Sequence, residues 1–131
     1  MNKTILITGC ILGMIAIIVG AFGAHSLKVL ISNDAQITFE TGVRYQMYHA
    51  LLLLFVGQMT QLGLRSKKAI FYLVLLGVLC FSGSIYGLAT NILTSFDFKQ
   101  IGFITPIGGV FLIAAWTVLL VGIFRSKIDK S

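Results

Sequence analysis

Charged residues are scarce in this sequence. Of its 131 residues, 11% are charged and only four are acidic, whereas 57% are hydrophobic. The mean hydropathy is +0.98. Soluble domains carry about 25% charged residues, so this composition excludes a soluble globular protein. It predicts an integral membrane protein, and the chain length predicts one domain, residues 1–131.

Groups of metal-binding side chains are also lacking. The two cysteines, Cys10 and Cys80, lie in different apolar segments without a Cys or His partner at metal-ligand spacing. We interpret them as small hydrophobic residues. The two histidines, His25 and His49, have no paired Cys or carboxylate at such spacing either. We therefore expect no metal site and no cofactor.

Motifs of common enzyme classes are absent as well. The chain has no His-Glu-x-x-His, no Gly-x-Ser-x-Gly and no phosphate-binding loop ending in Gly-Lys-Ser or Gly-Lys-Thr. No acidic residue lies in the first apolar segment, so proton-coupled cation export is disfavoured. We expect no enzymatic activity. The formal net charge of +6 does not indicate nucleic acid, because no soluble fold carries it.

The most prominent feature of the sequence is a set of long uncharged runs. Charged residues separate four of them, which cover residues 4–27, 45–64, 69–96 and 100–124. Each is long enough to cross a hydrocarbon core of about 30 Å as a helix, and continuous apolar runs are not typical of barrel strands. We predict an all-α fold, an integral membrane four-helix bundle, with helices at about residues 4–26, 43–64, 69–91 and 105–124.

Two helix boundaries have further sequence signals. Before the second helix, Ala35, Phe39 and Val43 recur every four residues, which predicts an amphipathic segment at the interface over 33–42. Gly42 could equally break this segment. At the last helix, Thr105 and Pro106 predict an N-cap and a first helical residue, because the missing N–H of proline costs nothing there.

Basic residues lie mainly on one side of the predicted helices. Only Lys28, Arg44 and Lys99 lie on the other side. Because Lys and Arg accumulate on the cytoplasmic side of membrane proteins, we predict that both termini are cytoplasmic and that the protein is multi-pass in the cell membrane. The residues on the predicted cytoplasmic side are Lys3, Arg65, Lys67, Lys68, Arg125, Lys127 and Lys130.

Small residues recur every three or four positions along the predicted helices. Such stripes let helix backbones approach closely in lipid. For the first helix, the partner is either another helix of the chain or a second copy, so a homo-oligomer through these faces remains open. The predicted packing glycines are Gly9, Gly13 and Gly20 in the first helix, Gly83 and Gly87 in the third, and Gly108 in the fourth.

Polar side chains are concentrated near the predicted outer ends of the helices. An up-and-down bundle would bring these ends together into a polar belt above an apolar cytoplasmic half. Two interpretations remain open: the side chains satisfy hydrogen bonds between helices, or they bind a lipid headgroup, an ion or a solute. Gln46 is one of the polar residues near these ends but is not among the candidates for the belt. The predicted belt residues are His25, Glu40, Arg44, Tyr45, Tyr48, His49, Ser84, Tyr86, Asn91 and Thr105.

These patterns predict a non-enzymatic membrane protein. We expect its polar belt to organise the bundle and to bind lipid headgroups or a partner protein. The alternative is a small channel or carrier with a solute vestibule on the outer face. Membrane lipids are the expected partners, and nucleic acid is not expected.

Four motifs carry a resemblance to a known family. They read Gly-Ala-Phe-Gly-Ala-His at 20–25, Tyr-Gln-Met-Tyr-His-Ala-Leu at 45–51, Phe-Ser-Gly-Ser-Ile-Tyr at 81–86 and Ile-Thr-Pro-Ile-Gly-Gly at 104–109. In this order they resemble the UPF0382 membrane family, or domain of unknown function 423, which includes YwdK-like, YgdD-like and transmembrane protein 256-like proteins. Family members often have Gly-Pro where this chain has Gly102-Phe103. The resemblance implies four membrane helices and supplies no activity.

Overall fold

Helices account for all regular structure in residues 1–127, the part of the chain that the computed structural model describes. A π-helical turn, Leu79–Gly83, joins the helix Leu64–Val78 to the helix Ser84–Ala89, so residues 64–89 form one continuous rod. Short 3-10 turns occur at Leu27–Val29, Asn91–Leu93 and Phe98–Ile101. The all-α prediction is confirmed. The helices are α1 (Asn2–His25), α2 (Asn33–Gln58), α3 (Leu64–Val78), α4 (Ser84–Ala89) and α5 (Ile104–Arg125).

Helix α2 is longer at its start than the sequence predicts. The predicted interfacial segment 33–42 and the predicted helix 43–64 form a single helix that begins at Asn33 and ends at Gln58. Its N-cap is Ser32, whose Oγ accepts a hydrogen bond from the Ala35 N–H at 3.1 Å. Gly42 does not break the helix, because it is buried where α4 packs closely on α2.

The other boundaries differ by smaller amounts. Helix α3 begins at Leu64, five residues before the predicted start at 69. Helix α5 begins at Ile104, with Phe103 as its N-cap. Thr105 is therefore not the cap that the sequence predicts. Pro106 is tolerated as the third helical residue, because the first four N–H groups of a helix have no partner within the helix.

Three helical stretches of the described chain are long and apolar enough to cross a membrane. They are Asn2–Val29, Leu64–Ala89 and Ile104–Arg125. Helix α2 is not one of them. At 26 residues it is about 39 Å long, but Arg44, Gln46 and His49 interrupt its apolar residues.

The helices pack as two pairs joined through α2. Helix α1 lies along α2, and α3 lies along α5, while α2 also contacts α3, the π turn and α4. A large buried apolar cluster includes Ile5, Val56, Ile70 and Ala115. A smaller cluster at the other end of the molecule is formed by Leu27, Phe39 and Ala89. Residues 42–49 of α2 and 82–86 of the rod lie between the two clusters along their own helices.

One contact fixes which helix ends lie together. Lys67, in the first turn of α3, is 4% exposed, and its Nζ donates a hydrogen bond to Asn2 Oδ1 at the start of α1 (3.0 Å). Arg65 and Arg125 also line a common cleft, which places the end of α5 at the start of α3. The start of α1, the start of α3 and the end of α5 therefore share one end of the molecule.

Glycines allow the closest helix contacts. A Cβ at Gly9 would lie 3.0 Å from the Ala50 carbonyl oxygen, and one at Gly20 would lie 3.1 Å from Val43 Cγ1. At Gly13 the nearest atom, Ala50 Cβ, is 3.8 Å away. The small stripe of α1 thus faces α2 of the same chain, which answers the question that the sequence leaves open for this stripe.

The remaining predicted packing glycines differ in what they pack against. Gly108 of α5 lies against the backbone of Cys80 and Phe81 in the π turn. A Cβ at Gly87 would lie 2.6 Å from the ring of Phe98, so Gly87 packs on the short 3-10 turn before α5 and not on one of the long helices. Gly83 is exposed, and only Leu79 of its own rod lies within 4 Å of a Cβ there.

Candidate functional site

A layer of buried polar side chains lies between the two apolar clusters. We call it the polar layer. Its buried members are 9% exposed or less, and each makes a hydrogen bond. Burying polar groups without such bonds is costly, especially in lipid. The buried members are Gln46, His49, Ser82 and Ser84, and their side-chain partners are Tyr86, Thr105 and Trp116.

Gln46 connects three helical segments. Its Nε2 donates to the Leu12 carbonyl of α1 at 2.9 Å, and its Oε1 accepts from the Tyr86 hydroxyl of α4 at 2.7 Å. Gln46 itself is on α2 and is 3% exposed. One amide side chain therefore uses both its donor and its acceptor to join neighbouring helices.

The π turn brings a second hydrogen bond to α2. Ser82 lies in this turn, is 0% exposed, and donates from Oγ to the Gly42 carbonyl at 2.7 Å. A Cβ at Gly42 would lie 2.7 Å from Tyr86 Cε1, so only glycine lets the rod approach at this distance. Gly108 of α5 lies against the same π turn. The turn is therefore held between two glycines from two helices.

His49 has a partner on each ring nitrogen. The indole Nε1–H of Trp116 donates to His49 Nε2 at 3.1 Å, and His49 Nδ1 lies 2.7 Å from the Tyr45 carbonyl oxygen. Because an indole N–H can only donate and a carbonyl can only accept, these partners assign the neutral tautomer with the proton on Nδ1. His49 uses both nitrogens to join α2 to α5, and neither is left for a metal or a substrate.

Ser84 and Thr105 form a third connection between helices. Their hydroxyl oxygens are 2.5 Å apart, and Ser84 Oγ also donates to the Phe81 carbonyl at 3.1 Å. This contact joins α4 to the start of α5. It explains why Thr105 does not cap α5, because its hydroxyl is hydrogen-bonded to Ser84 instead.

The other predicted belt residues lie outside the polar layer. His25, Glu40, Arg44, Tyr45 and Tyr48 have exposed side chains. Glu40 and Arg44 line a shallow 240 Å³ cleft between α1 and α2, with Gly20 on the α1 side. Tyr45 and Tyr48 contact each other edge to face, with ring centroids 5.6 Å apart.

Asn91 has a local role. Its Nδ2 donates to Asp97 Oδ1 at 3.2 Å, and its Oδ1 accepts from the Phe98 N–H at 2.8 Å. These bonds hold the connection between α4 and α5. Of the ten predicted residues, His49, Ser84, Tyr86 and Thr105 are thus brought into the polar layer, whereas the other six are not side-chain members of it.

Three important side chains are not among the predicted belt residues. Gln46 and Ser82 make hydrogen bonds to other helices, and Trp116 is the partner of His49. The signal for Trp116 was available in the sequence, because an indole N–H in a membrane helix needs an acceptor. Nothing in the sequence pattern distinguishes Ser82 from Ser84, since the π turn decides which of them faces α2.

Metal-binding groups and unpaired buried polar atoms are the remaining features of the site. Within residues 1–127, no three His, Cys, Asp or Glu side chains lie close enough to hold a metal ion. In the same range, one buried side-chain polar atom, Gln36 Oε1, has no hydrogen-bond partner, while Gln36 Nε2 donates to the Gly23 carbonyl at 2.7 Å. The polar layer is therefore internally satisfied.

The fold and the polar layer define an all-helical membrane protein whose helices are joined by buried hydrogen bonds. The family described as protein of unknown function (DUF423) matches residues 19–109, more than half of the chain. The chain belongs to this family, the UPF0382 membrane proteins of unknown function, so the resemblance seen in the four motifs is confirmed.

Bacterial relatives cover nearly the whole chain. A UPF0382 membrane protein of Staphylococcus aureus is 37% identical over 123 residues, covering 94% of this chain and 97% of the relative. The UPF0382 membrane protein YwdK of Bacillus subtilis is 37% identical over 91% of this chain and 94% of its own length. The UPF0382 inner membrane protein YgdD of Escherichia coli is 35% identical over 96% and 93%. No solved structure matches the chain significantly.

Proposed function

We propose that this chain is a four-helix integral protein of the cell membrane, with both termini cytoplasmic. In this proposal α1, α2, the α3–α4 rod and α5 each cross once. The contact of Lys67 with Asn2 and the cleft shared by Arg65 and Arg125 support it, because they place most basic residues at one end. Such an end is typical of the cytoplasmic side.

Helix α2 crosses the membrane in this arrangement although it is the least apolar long helix. Its polar side chains at Gln46 and His49 are buried and hydrogen-bonded to α1, α4 and α5. Polar residues within a membrane face the protein interior and find partners there. Hydrogen bonds to neighbouring helices therefore replace those that water would otherwise make with the polar side chains of α2.

The function that the geometry supports best is structural and non-enzymatic. The observation that carries it is the double hydrogen bond of Gln46, which joins α1 and α4 through α2. His49 and Ser84, the side chains most suited to catalysis, are each bonded to another helix. We propose that the polar layer organises the four helices, while exposed residues such as Glu40, Arg44 and Tyr48 contact lipid headgroups or a partner protein.

A small channel or carrier is less well supported than this structural role. Such a protein needs a continuous polar path, and the cluster around Val56, Ile70 and Ala115 fills the interior on one side of the polar layer with apolar side chains. The 240 Å³ cleft at Glu40 and Arg44 is open to the side and lies outside this interior.

Two substitutions test the structural proposal against a functional site. His49→Ala removes the partner of Trp116 and should cost about 1–3 kcal/mol of unfolding free energy. Arg44→Gln changes an exposed side chain, and we expect a change within about 0.5 kcal/mol. Thermal unfolding of both variants and the parent, in one defined detergent and lipid mixture, measures this difference.

The stability of His49→Ala can also contradict the structural proposal. If His49→Ala is as stable as the parent or more stable, then His49 is retained at some expense to the fold, as residues of functional sites often are. The bond between His49 and Trp116 would then not be a structural connection, and His49 would be a candidate for a binding site.

A further inference from the structure

A cleft of 490 Å³ lies between the start of α3 and the end of α5. It is at the end of the molecule opposite to the small apolar cluster of Leu27 and Phe39, and it shares no residue with the polar layer. Its volume is in the range of small-molecule sites, about 300–1,000 Å³. The residues that line it are Gln61, Gly63, Arg65, Ser66, Ala69, Thr117, Val118, Val121, Gly122, Arg125 and Ser126.

The rim of the cleft is strongly basic. Arg65 projects from the first turn of α3 and Arg125 from the last turn of α5, and Ser66 and Gln61 add polar groups beside them. No acidic side chain lines the cleft within the described chain. Arg65 and Arg125 line the cleft from two different helices, and a guanidinium group is a planar donor that suits the oxygen atoms of a phosphate.

The wall of the cleft is apolar. Below the rim it is formed by Ala69 of α3 and by Val118 and Val121 of α5. From Thr117 to Arg125 the α5 side of the cleft extends about 12 Å along the helix axis. Since Leu64–Ala89 and Ile104–Arg125 are both apolar enough to span a membrane, this wall extends from the membrane surface into the hydrocarbon region.

We propose that the cleft binds one anionic phospholipid. The phosphate lies between Arg65 and Arg125, and the first part of an acyl chain lies along Val118 and Val121. A free phosphate would use the rim alone, whereas the apolar wall directly below the rim matches the amphipathic structure of a lipid. Basic pockets between membrane helices on the cytoplasmic side bind anionic headgroups in the same way.

Native mass spectrometry of the purified full chain in a neutral detergent tests this proposal. Phosphatidylglycerol and phosphatidylcholine are titrated separately, and the number of retained lipids is counted. We expect one phosphatidylglycerol to bind at least about tenfold more tightly than phosphatidylcholine, because only the former carries a net charge for the two arginines. The double variant Arg65→Gln/Arg125→Gln should lose this preference.

Two further variants separate the cleft from general surface charge. Lys3→Gln/Lys68→Gln removes the same charge from exposed residues at the same end, outside the cleft, and should keep the preference. Val121→Trp fills the cleft without changing any charge and should weaken phosphatidylglycerol binding. Circular dichroism and a melting curve for each variant establish that it is folded.

Several results would overturn the proposal. Equal binding of the two lipids by the parent would show that the cleft does not prefer an anionic lipid. If the lysine control lost the preference for phosphatidylglycerol as fully as the arginine variant, the preference would come from general surface charge. Unchanged binding by Val121→Trp would mean that no acyl chain lies in the cleft. Displacement of phosphatidylglycerol by inorganic phosphate at equal concentration would make the ligand a free anion and not a lipid.

Discussion

At the residue scale, the polar layer shows how amide, hydroxyl and imidazole groups can be buried in a membrane protein. Gln46 uses an acceptor and a donor, His49 uses both ring nitrogens, and Ser82 bonds to a backbone carbonyl. Each bond contributes a modest net amount, but leaving a buried partner without its bond costs more. Substitution of one member should therefore be more harmful than its bond energy alone suggests.

The bond between Gln46 and Tyr86 gives a direct residue-scale prediction. Gln46→Leu strands the Tyr86 hydroxyl, and we expect a loss of about 1–3 kcal/mol in unfolding free energy. Tyr86→Phe removes the hydroxyl and strands only one oxygen of Gln46. The double variant Gln46→Leu/Tyr86→Phe should be more stable than the sum of the single losses predicts, by about 0.5–3 kcal/mol of coupling. Unfolding in one detergent measures the stability of all three variants against the parent.

Gln58→Leu is the matched control for this cycle. Gln58 is the last residue of the same helix and is exposed, so its replacement should change stability by less than about 0.5 kcal/mol. Equal stability of Gln46→Leu and Gln58→Leu, or additive losses in the cycle, would show that the Gln46–Tyr86 bond does not hold the helices together.

At the element scale, the π turn is the feature on which packing of the rod depends. It lies between α3 and α4, and it places Ser82 against Gly42 of α2 while its other side meets Gly108 of α5. A π turn inserts an extra residue into the helical repeat, and such turns are frequent at functional sites. Here it places successive polar residues towards different helices.

Two adjacent glycines test this packing. Gly108→Ala adds a Cβ that meets the backbone of Cys80 and Phe81, which cannot move away without shifting the helix. We expect a loss of about 1–3 kcal/mol. At Gly109 the nearest atom to an added Cβ, Phe81 Cδ2, is 3.7 Å away. Gly109→Ala should be neutral or stabilising by up to about 1 kcal/mol, because Ala favours helix. Melting temperatures of the two variants compare them directly.

A similar melting temperature for both glycine variants would contradict the packing described here. It would mean that α5 adjusts freely against the π turn, and that the contact of Gly108 does not define the distance between the two helices.

The elements were largely predictable from the sequence, but the polar contacts were not. Apolar runs gave the helices, because a membrane span needs a length and composition that few other structures share. They did not reveal that Gly42 continues α2, since a buried glycine at a close helix contact looks the same in sequence as a helix break. They also could not place Ser82 and Ser84, because one extra residue in the π turn changes which face each side chain occupies.

At the scale of the whole molecule, the placement of α2 decides the topology. Three stretches of residues 1–127 are apolar enough to cross a membrane by themselves, and α2 is not one of them. If α2 crosses, the connection 59–63 lies on the same side as Asn2, as the hydrogen bond from Lys67 to Asn2 requires. If α2 instead lay on the surface, the start of α3 would be on the opposite side of the membrane from Asn2, and Lys67 could not donate its hydrogen bond to Asn2.

Side-specific labelling of single cysteines measures most directly whether α2 crosses the membrane. In a background of Cys10→Ala/Cys80→Ala, a membrane-impermeant maleimide is applied to intact cells and to inverted membrane vesicles. We expect Gln61→Cys and Ser126→Cys to react only from the cytoplasmic side, whereas Ser26→Cys, between α1 and α2, and Ser95→Cys should react only from outside. Reaction of Ser26→Cys and Gln61→Cys from the same side would mean that α2 does not cross, and would contradict the four-helix arrangement held together by the polar layer.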